Sequence, residues 1–111
     1  MNEKLVTTFL ATVGKLNHTE LEAFFAEHAF MHIETRVFSG RKEIINYFKL
    51  WLQPLINLQC HVTEITHNEH SVFVDVAVLP TPGEHYNAIW CFHIFNGVID
   101  RIKIFTDRES K

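Results

Sequence analysis

The sequence predicts an α+β domain in which three N-terminal helices precede a mostly antiparallel sheet, and three observations carry that expectation. Apolar residues recur at helical spacing up to about residue 54. From about residue 58 the period drops to two, the spacing of a strand with one buried face. An Asn96-Gly97 pair between two apolar runs then marks a tight type I′ hairpin near the end of the chain. With 111 residues the expectation is a single domain, 1–111, able to bury a real core.

The first element is an amphipathic helix over 2–16, whose stripe is Leu5, Phe9, Val13 and Leu16, widened by Val6 and Leu10. Thr19 and Glu22 have the spacing of a capping box, and they open a short helix over about 20–27 that buries Leu21, Phe24 and Phe25. "AFMHIETRVF" alternates as one strand. "SGRKEIINYFKLWLQP" predicts a third helix, entered at Ser39-Gly40 and stopped by Pro54, with Ile44, Ile45, Phe48 and Leu52 inward. Four strands follow: "LQCHVTEITH", "HSVFVDVAVL", "HYNAIWCFHIF" and "VIDRIKIFTD".

Composition excludes several classes. A chain that is 47% apolar and 21% charged folds, and a net charge of −3 gives no electrostatic case for nucleic acid. The start is too interrupted by polar residues for a signal peptide, and no run is long enough to span a membrane. Two cysteines, Cys60 and Cys91, fit a reducing cytosol, so the expected setting is soluble and cytoplasmic. No Gly-rich phosphate loop or nucleophile elbow is present, and no cofactor is implied. His67 and His70 flank a turn, whereas His61 sits some 20 Å along the strand, so solvated histidines are expected and no metal.

The last hairpin predicts a register. A two-residue turn pairs Phe95 with Val98, Ile94 with Ile99, His93 with Asp100 and Cys91 with Ile102. One face then carries Ile89, Cys91, His93, Phe95, Val98, Asp100, Ile102 and Ile104, and is assigned to the concave, helix-covered side. The other carries Trp90, Phe92, Ile94 and Phe105, an apolar patch too large to leave in water. A homodimer through that outer face is the expected remedy.

Two stretches resemble the nuclear transport factor 2-like superfamily, which includes steroid Δ-isomerases, limonene epoxide hydrolases and SnoaL-type polyketide cyclases. They are "LEAFFAEHAFMHIETRVFSGRKEI" and "HIFNGVIDRIKIFTD". The resemblance implies a cone-shaped, cystatin-like fold: a strongly curved sheet wraps the helices, often around an apolar cavity, and pairs through its outer face. It also places Phe9 at the isomerases' tyrosine, Ile33 at their aspartate base and Cys91 at their protonated acid. None of these can perform that chemistry, although a one-residue slip would bring Glu34 or His32 inward. Glu34 is also similar to a rim glutamate that the transport factors use in partner binding.

The candidate catalytic pair is His93 and Asp100, because a carboxylate against an imidazole orients the ring for acid–base work; a simple polar couple at the sheet's end is the competing view. His32 and Glu34 share a strand face that the resemblance turns outward. Asp75 interrupts "VFVDVAV" and lies outside if Val72, Val74, Val76 and Val78 face in. The first functional reading is a small apolar-ligand binder, with enzyme activity left open, whose cavity is lined by Phe9, Val13, Ile33, Ile89, Cys91, Ile102 and Ile104. The second is a non-catalytic dimerisation or protein-partner module with a cone filled by its own ten phenylalanines. Cavity volume discriminates between them.

Overall fold

A computed structural model describes residues 2–16, 18–55, 57–81 and 83–106. Helix α1 spans Asn2–Gly14 and buries Val6, Phe9, Leu10 and Val13 along one face. The short second helix is present as a 3-10 helix, His18–Phe24, with Leu21 buried. Three residues per turn stack Leu21 beneath Phe24. Phe25 already belongs to the sheet, four residues earlier than the alternation suggests.

The single strand expected over "AFMHIETRVF" is two. Strand β1, Phe25–Ile33, and strand β2, Arg36–Ser39, form an antiparallel hairpin about Glu34, whose φ is 57°. Helix α2, Arg41–Leu52, follows and inserts Ile44, Phe48 and Leu52. Its entry requires Gly40, whose φ of 93° and ψ of 149° suit only glycine.

Strands β3 (Gln59–His67), β4 (Ser71–Thr81), β5 (Glu84–Phe95) and β6 (Val98–Thr106) complete a six-stranded sheet of order β2-β1-β6-β5-β4-β3. Only β1 and β6 run parallel. Register shifts interrupt the β1–β6, β3–β4, β4–β5 and β5–β6 pairings. Each such irregularity bends and twists its strand, and together they curve the sheet around the helices. This is the α+β architecture the sequence predicts, with one strand more.

The shift in the β5–β6 hairpin overturns half of the expected facing. Phe95 pairs with Val98 and Ile94 with Ile99 as anticipated, but His93 then faces Arg101, Phe92 faces Ile102 and Trp90 faces Ile104. Asp100 is the extra residue of a bulge, so everything beyond it slips by one. Ile102 and Ile104 therefore share the concave face with Trp90, Phe92 and Ile94, which are only 3%, 1% and 2% exposed. These three are core residues rather than an outer interface. Conversely, Ile89 and Cys91 point to the convex side and do not line the cone. The swap follows from burial: it seals an indole, a phenyl ring and three isoleucines inside, at roughly 1.5–3 kcal/mol for each large apolar side chain.

Candidate functional site

The inside of the cone is built around Phe9. Its ring meets those of Phe24, Phe25, Phe48, Trp90 and Phe92 at centroid distances of 5.5, 5.5, 6.0, 6.2 and 5.6 Å. All five contacts are edge-to-face, the arrangement the ring quadrupole favours. Phe9, Val13, Ile33, Ile102 and Ile104 are buried on this side, where the sequence expects a cavity lining, but they pack against aromatic rings. At the mouth, Tyr47, Trp51, Tyr86, Trp90, Ile104 and Thr106 enclose only about 40 Å³. Ligand pockets typically offer about 300–1,000 Å³.

The interior is also chemically quiet. Thr12 is the one polar side chain described as buried, and its hydroxyl donates to the Thr8 carbonyl at 2.8 Å. Phe9 and Ile33, at the positions the resemblance gives to the isomerase tyrosine and base, face in; Cys91, at the position of the acid, faces out. The Trp90 indole Nε1 is buried without a hydrogen-bond partner among the described residues. An unmet donor of that kind costs about 1–3 kcal/mol.

His93 and Asp100 do meet: Nδ1 and Oδ1 are 2.6 Å apart. The bulge, not a regular ladder, brings them together, and it does so on the convex face, away from the cone. The His70 ring lies 6.0 Å from that of His93. His32 shares the convex side, with its Nδ1 buried and unpartnered among the described residues. Glu34 sits in the β1–β2 turn and accepts a hydrogen bond from Thr106 Oγ1 at 3.1 Å. Val72, Val74, Val76 and Val78 are buried, which sets Asp75 on the convex face. Among the described residues, His61, His67 and His70 belong to no convergent set of three metal-ligand side chains.

The larger hollows lie on the convex face. One open groove of about 500 Å³ runs past Thr63, Asp75, Asn87, Ile89, Phe105 and Thr106. A second, about 310 Å³, is bounded by Ser71, Phe73, Cys91, His93, Arg101 and Lys103. Phe105 is exposed there, on the side the sequence predicts for it. Desolvation raises the Cys91 thiol, opposed by the nearby Lys103 ammonium, and burial on the other face pushes Cys60 up to about 11. That Lys103 shares the convex face with Asp75 was hidden in the sequence, since the facing of β6 beyond residue 100 is not fixed until the bulge is placed.

Fold and site together define a class: a helix-filled cone whose sheet has a solvent-facing back, the nuclear transport factor 2-like fold. A nuclear transport factor 2-like protein of unknown function from Cytophaga hutchinsonii superimposes with a TM-score of 0.81 at 14% identity, covering 96% of this chain and 90% of its own. A protein assigned as a SnoaL-like polyketide cyclase from Shewanella putrefaciens gives 0.82 at 12% identity, over 95% and 79%. A de novo designed protein with a curved β-sheet also gives 0.82, at 14% identity over 95% and 84%. At such identities the likeness is one of fold, and the designed neighbour illustrates that the fold alone fixes no activity. No protein-family model and no curated protein matches the sequence. No helix among the described residues is long and apolar enough to cross a membrane.

Proposed function

We propose that this domain is a non-catalytic interaction module of the nuclear transport factor 2-like fold, whose working surface is the convex back of the sheet. The filled cone carries this reading: about 40 Å³ at the mouth leaves no room for a cyclic substrate. The interior supports it, because no carboxylate or imidazole among the described residues is buried there to serve as the usual acid or base. His93 and Asp100 sit on the convex side, where they fix the hairpin. Both thiols are free, in keeping with a reducing cytoplasm.

Thermal melting against a panel of steroids, monoterpenes and naphthoquinones tests the reading. The expected result is no shift in Tm. A rise of several degrees with any member, abolished by Phe48→Trp, would overturn it.

One observation favours a second reading, binding of a compact apolar ligand at the mouth. The buried Trp90 Nε1 lacks a partner among the described residues, and Trp51, Tyr47 and Tyr86 stand over the same cleft. A ligand carrying a hydrogen-bond acceptor would satisfy that donor once the half-buried Trp51 swings aside. The same melting panel decides between the two.

A further inference from the structure

We infer that the groove over β5, with Arg101 and Lys103 on one side and Phe73 on the other, is a binding site for a small aromatic carboxylate. The inference rests on the reading of the convex face as the working surface, and names the class of ligand that this part of it takes.

The strand registers lay the site out as a grid. Ser71, His93 and Arg101 form one row across β4, β5 and β6, and Phe73, Cys91 and Lys103 form the next. These two rows, with Phe105 beyond them, bound the hollow of about 310 Å³, a volume within the range of small-molecule pockets. The bulge at Asp100 creates the grid, because it turns Arg101 and Lys103 to the convex side and sends Ile102 inward.

The β6 side of the groove is cationic and uncompensated. Arg101 and Lys103 are two residues apart on one face, so their Cα atoms are roughly 7 Å apart, and like charges at that distance repel. Neither has an ion-pair partner among the described residues. Two carboxylates at this end of the sheet are already engaged: Asp100 by His93 at 2.6 Å, and Glu69 by His70 at 3.2 Å. On β1 the neighbours of Arg101 and Lys103 are Phe30 and His32, so no acid relieves them from that strand.

An anion is therefore the complement, and the rest of the lining sets its shape. A guanidinium fork matches a carboxylate through two parallel hydrogen bonds, and an ammonium adds a point charge. Beyond the cations the floor is Cys91, flanked by Phe73 and Phe105, which are 40% and 52% exposed. On strand and residue spacing the Cα atoms of these two phenylalanines are roughly 12 Å apart, which leaves space for one flat ring between their side chains. Phosphate esters fit less well. The nests that hold phosphate are built from free backbone N–H groups, and here β5 lies between two hydrogen-bonded neighbours.

Titrating the isotope-labelled chain with 2-naphthoate, and following backbone amide shifts by NMR, tests the proposal. Saturating shifts are expected at Phe73, Cys91, Arg101 and Lys103, with a Kd of about 1 mM or tighter, as ligand efficiency allows for a molecule of this size. Arg101→Ala and Lys103→Ala should each weaken binding about 5-fold, the value of an exposed charge contact, and the double variant more than about 10-fold. The uncharged 2-naphthylmethanol should bind at least about 5-fold more weakly than the acid. Lys42→Ala, on α2, should change nothing. Shifts that do not saturate, that centre elsewhere, or that ignore Arg101 and Lys103 would overturn the site. So would a second copy sealing the groove, since no shifts would then appear. Tighter binding of naphthyl phosphate than of naphthoate would overturn the carboxylate assignment.

Cys91 gives a readout that needs no change of charge. Because it lies on the groove floor, saturating naphthoate should slow its alkylation by iodoacetamide several-fold in wild type and not in the double variant. Unslowed alkylation would overturn the placement. The parent reading fails by a different result. Naphthoate binding that is lost in Phe48→Trp and kept in the double variant lies in the cone and overturns both readings, whereas a silent steroid panel with no naphthoate binding removes this site alone.

Discussion

His93 Nδ1 lies 2.6 Å from Asp100 Oδ1 across a bulge that gives His93 two opposing residues, Asp100 and Arg101. A hydrogen bond to a charged group contributes about 1.5–3 kcal/mol when shielded. Here the side chains are 35% and 34% exposed, so water screens much of that. Asp100→Asn should therefore destabilise the domain by about 1 kcal/mol, read from urea unfolding midpoints at unchanged m. An unchanged midpoint would mean that the contact is ornamental and that backbone pairing alone holds the bulge.

The bulge also makes a stronger claim about register. With Asp100 deleted, Arg101 follows Ile99 and falls opposite His93 in an unbroken ladder, and Phe92 still meets Ile102. The deletion should fold, with a Tm lower by several degrees through loss of the His93 contact, and cross-strand NOEs should still link Phe92 to Ile102. Loss of cooperative folding would show instead that the extra bend at Asp100 is indispensable to the cone.

Both results bear on what a sequence reader sees. The helical stripe of Phe9 and Val13 and the I′ turn at Asn96-Gly97 are short-range patterns, and they survive in the structure. The two-residue loop makes the His93–Asp100 contact legible as well. The bulge leaves no such mark: Trp90, Phe92, Ile102 and Ile104 are all apolar, so either register reads as a plausible buried face. Likewise, no Gly or Pro announces the Glu34 turn that divides β1 from β2. Whether the cone is full or empty depends on how five rings meet Phe9 in three dimensions, and periodicity carries no volume.

The filled interior is itself testable at Phe9. Truncation to Ala removes a ring that touches five others, at about 3–5 kcal/mol for a buried Phe. That is a large share of the 5–15 kcal/mol typical of a domain. If Phe9 occupies the space a ligand would need, Phe9→Ala should acquire affinity for benzene or indole, seen as a rise in Tm with added ligand that wild type lacks. A collapsed variant without that rise would mean the neighbouring rings close the gap.

Cys60 predicts a pH dependence. Burial penalises its thiolate and pushes the thiol from an ordinary 9.0 up to about 11. Below pH 9 both folded and unfolded chains hold the proton, so stability is indifferent to it. Between 9 and 11 the unfolded chain releases a proton that the folded one keeps, and stability falls as pH rises. The slope is about 1.4 kcal/mol per unit, or roughly 2–3 kcal/mol by pH 11. Cys60→Ala should lose this component, so its stability deficit relative to wild type should shrink between about pH 8 and about pH 10.5; lysine and tyrosine titrations are common to both and cancel. A deficit that stays constant over that interval would place the Cys60 thiol in contact with water.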